Sequence, residues 1–331
     1  MSTTSHTQPS IDLQATSPAT RISLTKAGIT RSAKAIRLSR GGNEQLFQAV
    51  VQCSVDLDPD QKGVHMSRFE EDVNEAIDEV VIGEALLIEE LAERVALRVV
   101  DHQKALRSAV LIEASYPLER RTPVTDIATQ ETYGLIGVAA ADAAGSRRMV
   151  GVSAQGMNAC PCAQGLIRDR AVIALREDGF DDEQIARIVA DVPIATHNQR
   201  ARGTLLVGTT DRRIIPADVL IAIVEEGMSS EIYELMKRPD EEWVVAKAHS
   251  RPRFVEDSVR EMVRATLEAF PDLPDDAFIE AHQVNFETIH THDVEAERTG
   301  LVGEIRAELQ GRSADHRIGR DEWLASGAAR A

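Results

Sequence analysis

Phe47-Gln48-Ala49-Val50-Val51-Gln52-Cys53-Ser54-Val55-Asp56-Leu57 places Phe47, Ala49, Val51, Cys53, Val55 and Leu57 on one parity, and Gln48, Gln52, Ser54 and Asp56 on the other. A two-residue period belongs to a strand buried on one face, because successive side chains of an extended chain point to opposite sides. The pattern predicts a strand over 45–57 and makes Cys53 a core residue. Asp58-Pro59-Asp60 then turns the chain. The segment Lys62–Arg68 leads into a helix running through Val80. A second helix spans Glu84–His102, with Leu87, Leu91, Val95, Leu97 and Val99 supplying its apolar surface.

Further along, strand patterns cover 106–116, 133–143 and 147–155. Helices follow over 166–176 and 182–190, separated by Asp178-Gly179. A strand covers 203–209, a helix with Pro216 in its first turn covers 216–226, another helix ends before Pro271, and a long strand is expected over 278–292. Strands clustered ahead of helices argue for an α+β fold, and no glycine-rich phosphate loop follows any strand. Residues 1–20 are rich in Ser, Thr, Gln and Pro and read as a disordered tail, while 313–331 read as a loosely held one. The remaining 21–312 form the main domain.

The chain has 331 residues, 43% of them apolar, which suffices for a buried core. No apolar run approaches the ~18 residues of a membrane span, and no basic-then-apolar leader opens the sequence, so a cytoplasmic location is expected. A net charge of −17 argues against a general nucleic-acid surface. The three cysteines, two of them separated by one proline, disfavour a disulfide framework.

Chemistry concentrates in Asn158-Ala159-Cys160-Pro161-Cys162-Ala163-Gln164 and in Thr196-His197-Asn198-Gln199-Arg200, which together hold two thiols, an imidazole and a guanidinium. Cys and His bind borderline-soft metals, and Cys is also a strong nucleophile. Pro161 fixes the backbone between the thiols, and the nearby Asn158, Gln164 and Gly156 disfavour a purely apolar pair of cysteines. Read alone, His197 is a satisfied structural histidine, and Glu241 and Glu256 are surface charge among 54 acidic residues. Lys62, His65, Ser67 and Arg68 form a compact cluster before a helix, a place suited to phosphate, or simply a turn capped by Ser67. On a strand over 278–292, His282, His290 and His292 share one parity. Glu287 has the other, so serving one site with His290 requires the strand to bulge, twist or end near Thr288.

In order along the chain, Lys62-Gly63-Val64-His65-Met66-Ser67-Arg68, Cys160-Pro161-Cys162, His197-Asn198-Gln199-Arg200 and Glu287-Thr288-Ile289-His290-Thr291-His292-Asp293 resemble the four signatures of the type IB GTP cyclohydrolases. That prokaryotic family includes a bacterial folate-pathway enzyme and its archaeal methanopterin-pathway relative. The resemblance runs from about Gly28 to Glu297. It implies the tunnelling fold, with antiparallel sheets carrying helices on one face and assembling across subunits, here as a homotetramer with interfacial active sites.

For the site, the resemblance implies a divalent metal, Fe(II), Mn(II) or Zn(II), held by Cys160, His197, Glu241, His290 and His292. Cys162, Glu256 and Glu287 would be catalytic, and Lys62, His65, Ser67, Arg68, Arg200 and Arg202 would bind GTP. From the residues alone, the roles of Cys160 and Cys162 are interchangeable. The metal would lower the pKa of a water from about 15.7 toward 7 for attack on C8 of guanine, with formate leaving. The helical insertion 166–190 resembles the archaeal members, whose product is the 2',3'-cyclic phosphate rather than dihydroneopterin triphosphate. Two alternatives stand beside this reading: another tunnelling-fold enzyme acting on purines or pterins, and a sensor using the Cys-Pro-Cys pair as a metal or redox switch.

Overall fold

The computed structural model describes residues 13–14, 16–40, 43–82, 87–312 and 318–325. The chain divides into two compact units, one comprising 1–113, 137–148 and 324–331, the other 114–136 and 149–323. Most of the expected amino-terminal tail, 1–12 and residue 15, lies outside the described residues, as do 313–317 and 326–331 of the carboxyl-terminal one.

In the first unit, strand β1 (Leu24–Arg40) pairs antiparallel with β2 (Asn43–Leu57), from Ala27↔Val55 to Arg40↔Asn43. The alternation in β2 is observed: Phe47, Ala49, Val51, Cys53, Val55 and Leu57 are all buried. Against them pack Phe69, Val73 and Ala76 of helix α1 (Met66–Ile82) and Leu91, Ala92, Val95 and Val99 of helix α2 (Ile88–Gln103). Leu97 is the exception to the expected apolar surface of α2, since it is exposed. Ser67 lies inside the first turn of α1 and so is not its cap. The turn before α1 is tied down by hydrogen bonds from the Lys62 N–H to the Thr16 carbonyl (3.0 Å) and from the Gly63 N–H to the Gln14 carbonyl (3.2 Å). Part of the expected tail is therefore anchored.

Strands β3 (Arg107–Arg121), β4 (Ala128–Asp142) and β5 (Gly145–Ala159) contribute residues to both units. All three are longer than the apolar patterns alone suggest. The second unit continues with α3 (Pro161–Glu177), α4 (Asp182–Asp191), β6 (Asn198–Gly208), α5 (Ala217–Gly227), β7 (Ser230–Glu231), α6 (Arg238–Ser250), α7 (Val255–Ala269), β8 (Phe278–Asn285), β9 (Val294–Leu301), α8 (Val302–Leu309) and α9 (Arg320–Ala325). Its strands run in the order β5-β6-β8-β9, with β7 also on β5, and these pairings are antiparallel. Leu220, Ile221 and Val224 of α5 and Val259, Met262 and Val263 of α7 are buried with Leu205 and Val207 of β6 and Ile279 and Ala281 of β8. The architecture is the expected α+β class with an antiparallel sheet.

Three details depart from the sequence patterns. The strand expected over 278–292 ends at Asn285, and 286–293 form a loop before β9. Pro216 caps α5 from outside rather than sitting in its first turn. Finally, Arg320–Ala325 is helical, and Trp323 of this stretch is fully buried, stacked on Phe278 with ring centroids 5.7 Å apart and donating its indole N–H to the Asp276 carbonyl (2.9 Å). Gly208 makes room for it: a Cβ there would lie 2.5 Å from the indole. The helices expected over 166–176 and 182–190 are present as α3 and α4, with Gly179 between them at φ +91°.

Two outcomes follow for stability. Trp323→Ala should cost about 3–5 kcal/mol, read by urea denaturation, because it removes a filled aromatic position and its hydrogen bond. Burial pushes the Glu89 carboxyl up from 4.5 to about 7, against the pull of Arg148. The stability carried by its neutral form is complete below pH 4.5 and is lost as pH rises through about 7. Glu89→Gln should therefore gain in melting temperature over the wild type at pH 8 and show little gain at pH 4.5.

Candidate functional site

The site begins where β5 runs out. The β5–β6 register pairs Gln155↔Arg202, Met157↔Arg200, Asn158↔Gln199 and Ala159↔Asn198, so the next residues on each side are Cys160 and His197. The Cys160 N–H donates to the His197 carbonyl (3.1 Å), which extends the ladder by one step. Cys160 is then the extended N-cap of α3, Pro161 takes the first helical position, where it has no N–H to leave unpaired, and Cys162 lies exposed in the first turn. The Cys160 carbonyl accepts from Thr196 Oγ1 (2.8 Å) and from the Gln164 N–H (3.2 Å). Gln164 Nε2 in turn donates to the carbonyls of Ile194 (3.0 Å) and His249 (2.7 Å).

Beneath the thiols sits Asn158, wholly buried. Its Nδ2 donates to Ser258 Oγ of α7 (2.9 Å), and its Oδ1 accepts the Ser229 N–H (3.2 Å). Ser229 Oγ accepts the Ala159 N–H (3.1 Å), and the Ala159 carbonyl accepts the Arg253 N–H (3.0 Å). A buried amide costs free energy unless its donors and acceptor are paired, so this pairing fixes the end of β5 against α7 and the segment after α5.

His197 is nearly buried. Its Nδ1 has no hydrogen-bond partner and lies 3.9 Å from Glu287 Oε2. The Glu287 carboxylate is also buried and accepts from Gln199 Nε2 at 2.9 Å. Glu287 can reach this position because β8 has ended: the Phe286 N–H still donates to the Arg200 carbonyl (2.9 Å), Thr288 Oγ1 donates to the Asn198 carbonyl (3.1 Å), and the Glu287 N–H donates to Asp293 Oδ1 (3.2 Å). The parity conflict between Glu287 and His290 is thus removed by the strand's end. The shared parity expected for His282, His290 and His292 is lost with it. His282 stays on β8 with Nε2 3.2 Å from Glu295 Oε2, while His290 and His292 stack on each other in the exposed loop with ring centroids 5.1 Å apart.

Glu241 is exposed in the first turn of α6. Its neighbour Asp240 is buried and anchors that turn, accepting from the N–H groups of Val124 (3.0 Å), Thr125 (2.9 Å) and Lys237 (3.0 Å) and from Thr125 Oγ1 (2.6 Å). Desolvation opposes ionisation of Asp240, but these four donors prevail and hold its carboxyl well below the usual carboxylate range. Glu256 is exposed in the first turn of α7 and lines a cleft of about 680 Å³ with Arg253, Arg260 and Arg264, a cleft to which neither Cys160 nor His197 contributes. Arg200 and Arg202 occupy the exposed parity of β6, opposite to buried Gln199 and Ala201; Arg202 lies over the Phe286 ring at 5.7 Å.

In the other unit, Lys62, Ser67 and Arg68 are exposed and His65 is half-buried. His65 and Arg68 line a cleft of about 660 Å³ together with Gly63, His102 and Lys104.

The structure therefore brings Cys160, His197 and Glu287 to adjoining strand ends. It does not close a full ligand set: no three of Cys160, His197, Glu241, Glu287, His290 and His292 bring ligand atoms within 4.8 Å of one another. Among the described residues, the group that meets that condition is Asp72, Glu75 and His102, which the sequence reading missed. The Asp72–Glu75 spacing on one helix face was a readable signal, but His102 joins them only through packing of α2 on α1. Also missed were the supports Asn158, Gln199 and Asp240 in their present roles.

Residues 11–296 match the family model described as type I GTP cyclohydrolase folE2. GTP cyclohydrolase MptA of Methanococcus aeolicus is 40% identical over 306 residues, covering 90% of this chain and 99% of that protein. The protein of the same name from Methanoregula boonei is 39% identical over 312 residues, covering 92% and 95%. Among solved structures, uricase from Arthrobacter globiformis shares the fold, with a TM-score of 0.50 and 10% identity over 88% of this chain and 96% of that one. With the four motifs in order and the match running through both units, the chain belongs to the type I GTP cyclohydrolase family.

Proposed function

We propose that this protein is a metal-dependent GTP cyclohydrolase that opens the guanine ring, releases C8 as formate and leaves a 7,8-dihydroneopterin phosphate. The observation that carries the reading is the buried, unpartnered His197 Nδ1 facing the Glu287 carboxylate beside Cys160, in a chain whose family match spans 11–296. A buried polar nitrogen without a partner costs about 1–3 kcal/mol, a cost that ligation would remove. Thiolate, imidazole and carboxylate are the donors that Fe(II), Mn(II) and Zn(II) accept. Cys160 and His197 thus fit a divalent metal by position and chemistry, and in this reading Glu241, His290 and His292, which lie apart from them here, would complete its holders. When bound, the metal supplies the Lewis acidity that activates water for attack on C8.

The chain's own groups do the rest. Gln199 orients Glu287 through its amide, so that the carboxylate can hold a proton at the guanine ring. Cys162 and Glu256, both exposed at helix starts, take up and return protons while the imidazole ring of guanine opens. Arg200 and Arg202 bind the triphosphate through charge-assisted hydrogen bonds, and Lys62, His65, Ser67 and Arg68 bind it in a neighbouring chain's site. In this reading the tunnelling-fold subunits form a tetramer in which neighbouring chains complete each site, in the cytoplasm, where the free thiols stay reduced. Ring opening and formate loss are common to the triphosphate and cyclic-phosphate products, and the proposal commits to those steps. The match to archaeal MptA proteins favours a methanopterin-type pathway.

Chelated protein incubated anaerobically with GTP should release no formate, and Fe(II), Mn(II) or Zn(II) should restore release, followed by mass analysis of the pterin. Full turnover in metal-free protein, or a product retaining C8, would overturn the reading. The two thiols should separate in their effects. Cys160→Ser should lower metal content, whereas Cys162→Ser should keep the metal and lose roughly 10²-fold or more in turnover. Equal metal content and unimpaired turnover in both would remove the thiols from the mechanism.

A further inference from the structure

Outside the motifs, Asp72 and Glu75 stand three residues apart on α1 and so share one face, and His102 occupies the last turn of α2, which packs on α1. One ligand atom from each lies within 4.8 Å of the other two. Asp72 Oδ1 contacts His102 Nδ1, and Glu75 Oε2 accepts from Arg98 Nη1 at 2.6 Å. Asp72 is only 1% exposed, and its Oδ2 has no hydrogen-bond partner. In a folded protein a buried carboxylate oxygen without a donor is uncommon and costly, and the carboxylate that carries it here lies beside a second carboxylate and an imidazole, the surroundings of a cation site.

We propose that Asp72, Glu75 and His102 form a second divalent-metal site, separate from the thiol-containing centre and of a different chemical class. Two carboxylate oxygens and one imidazole nitrogen suit Zn(II), Mn(II) or Fe(II), without the thiolate that Cys160 offers. The local charge agrees: two carboxylates and the Arg98 guanidinium sum to −1 with a neutral imidazole, so a dication is not repelled. His102 and Glu75 are both partly open to solvent, which gives an ion a path in and leaves a coordination position for water. His102 also lines the cleft that holds His65 and Arg68, so an ion here would add positive charge beside exposed cations of the Lys62–Arg68 segment. Bound between α1 and α2, the ion would stabilise this unit by cross-linking the two helices.

The test is metal stoichiometry in the full-length protein equilibrated with Zn(II) and freed of excess, comparing the wild type with His102→Ala, Glu75→Gln, His197→Ala and the His102→Ala/His197→Ala double variant. The expected counts are about two ions per chain in the wild type, about one in each single variant, and near zero in the double variant. Zn(II) should also raise the melting temperature of His197→Ala, and this rise should vanish in the double variant. Glu75→Gln changes an exposed side chain by one atom and keeps the test valid if His102→Ala folds poorly. Wild-type stoichiometry retained in both His102→Ala and Glu75→Gln would overturn the second site. Loss in those variants with no change in His197→Ala would instead uphold it and count against the proposed thiol-containing centre.

Discussion

The last step of the β5–β6 ladder is the constraint on which the site depends. Because Ala159 faces Asn198, the residues just beyond, Cys160 and His197, come together across a backbone hydrogen bond although 37 positions separate them in sequence. Slipping that register by one residue would send one of the two side chains to the other face of the sheet. The buried Asn158 hub opposes such a slip, since its bonds to Ser258 and Ser229 and the neighbouring Ala159–Ser229 bond form in one register only. Packing and polar satisfaction thus act together: α5 and α7 bury the apolar face of β6 and β8, and the amide network fixes how β5 ends against them.

Electrostatics shape the surroundings in the opposite sense to the substrate proposed. A chain of net charge −17 repels a nucleoside triphosphate at long range, so binding must rest on local cations. The candidates Lys62, Arg68, Arg200 and Arg202 are all exposed, where a phosphate can reach them, while most of the acidic excess is spread over the helices. Two of the buried carboxylates are engaged instead with structural partners: Asp240 with four donors at the start of α6, and Glu225 with Tyr133 and Arg120. Asp240 matters to the site indirectly, because it fixes the turn that carries Glu241.

Much of this was legible in the sequence wherever one face of an element is buried. The alternation from Phe47 to Leu57 marked β2, and the helix over 182–190 was found to within one residue, while that over 166–176 begins five residues earlier, at Pro161. The motif residues were legible as a set because they retain the family's order, although no single one of them stands out from the background of surface charge. Three things were hidden, each for a physical reason. Strand β1 carries Lys, Arg, Ser and Thr along much of its length, and among its described side chains only Ile36 and Leu38 are buried, so no apolar period announces it. The end of β8 is set by Asp293 and Asn198 holding Glu287 and Thr288, contacts between distant residues that no local pattern records. Trp323 sits in a short, charged segment whose composition suggested a loose tail, yet the segment is held by one aromatic stacked on Phe278 in the space left by Gly208.

In the proposed metal centre the strand register would make Cys160, rather than Cys162, the thiolate beside His197. X-ray absorption at the metal edge of the loaded protein tests it most directly, because sulfur and nitrogen or oxygen neighbours differ in distance from the ion, about 2.3 Å against about 2.0–2.1 Å for zinc. The account predicts a sulfur neighbour in the wild type, retained in Cys162→Ser and absent in Cys160→Ser. A spectrum without sulfur in the wild type, or sulfur that persists in Cys160→Ser and disappears in Cys162→Ser, would contradict it.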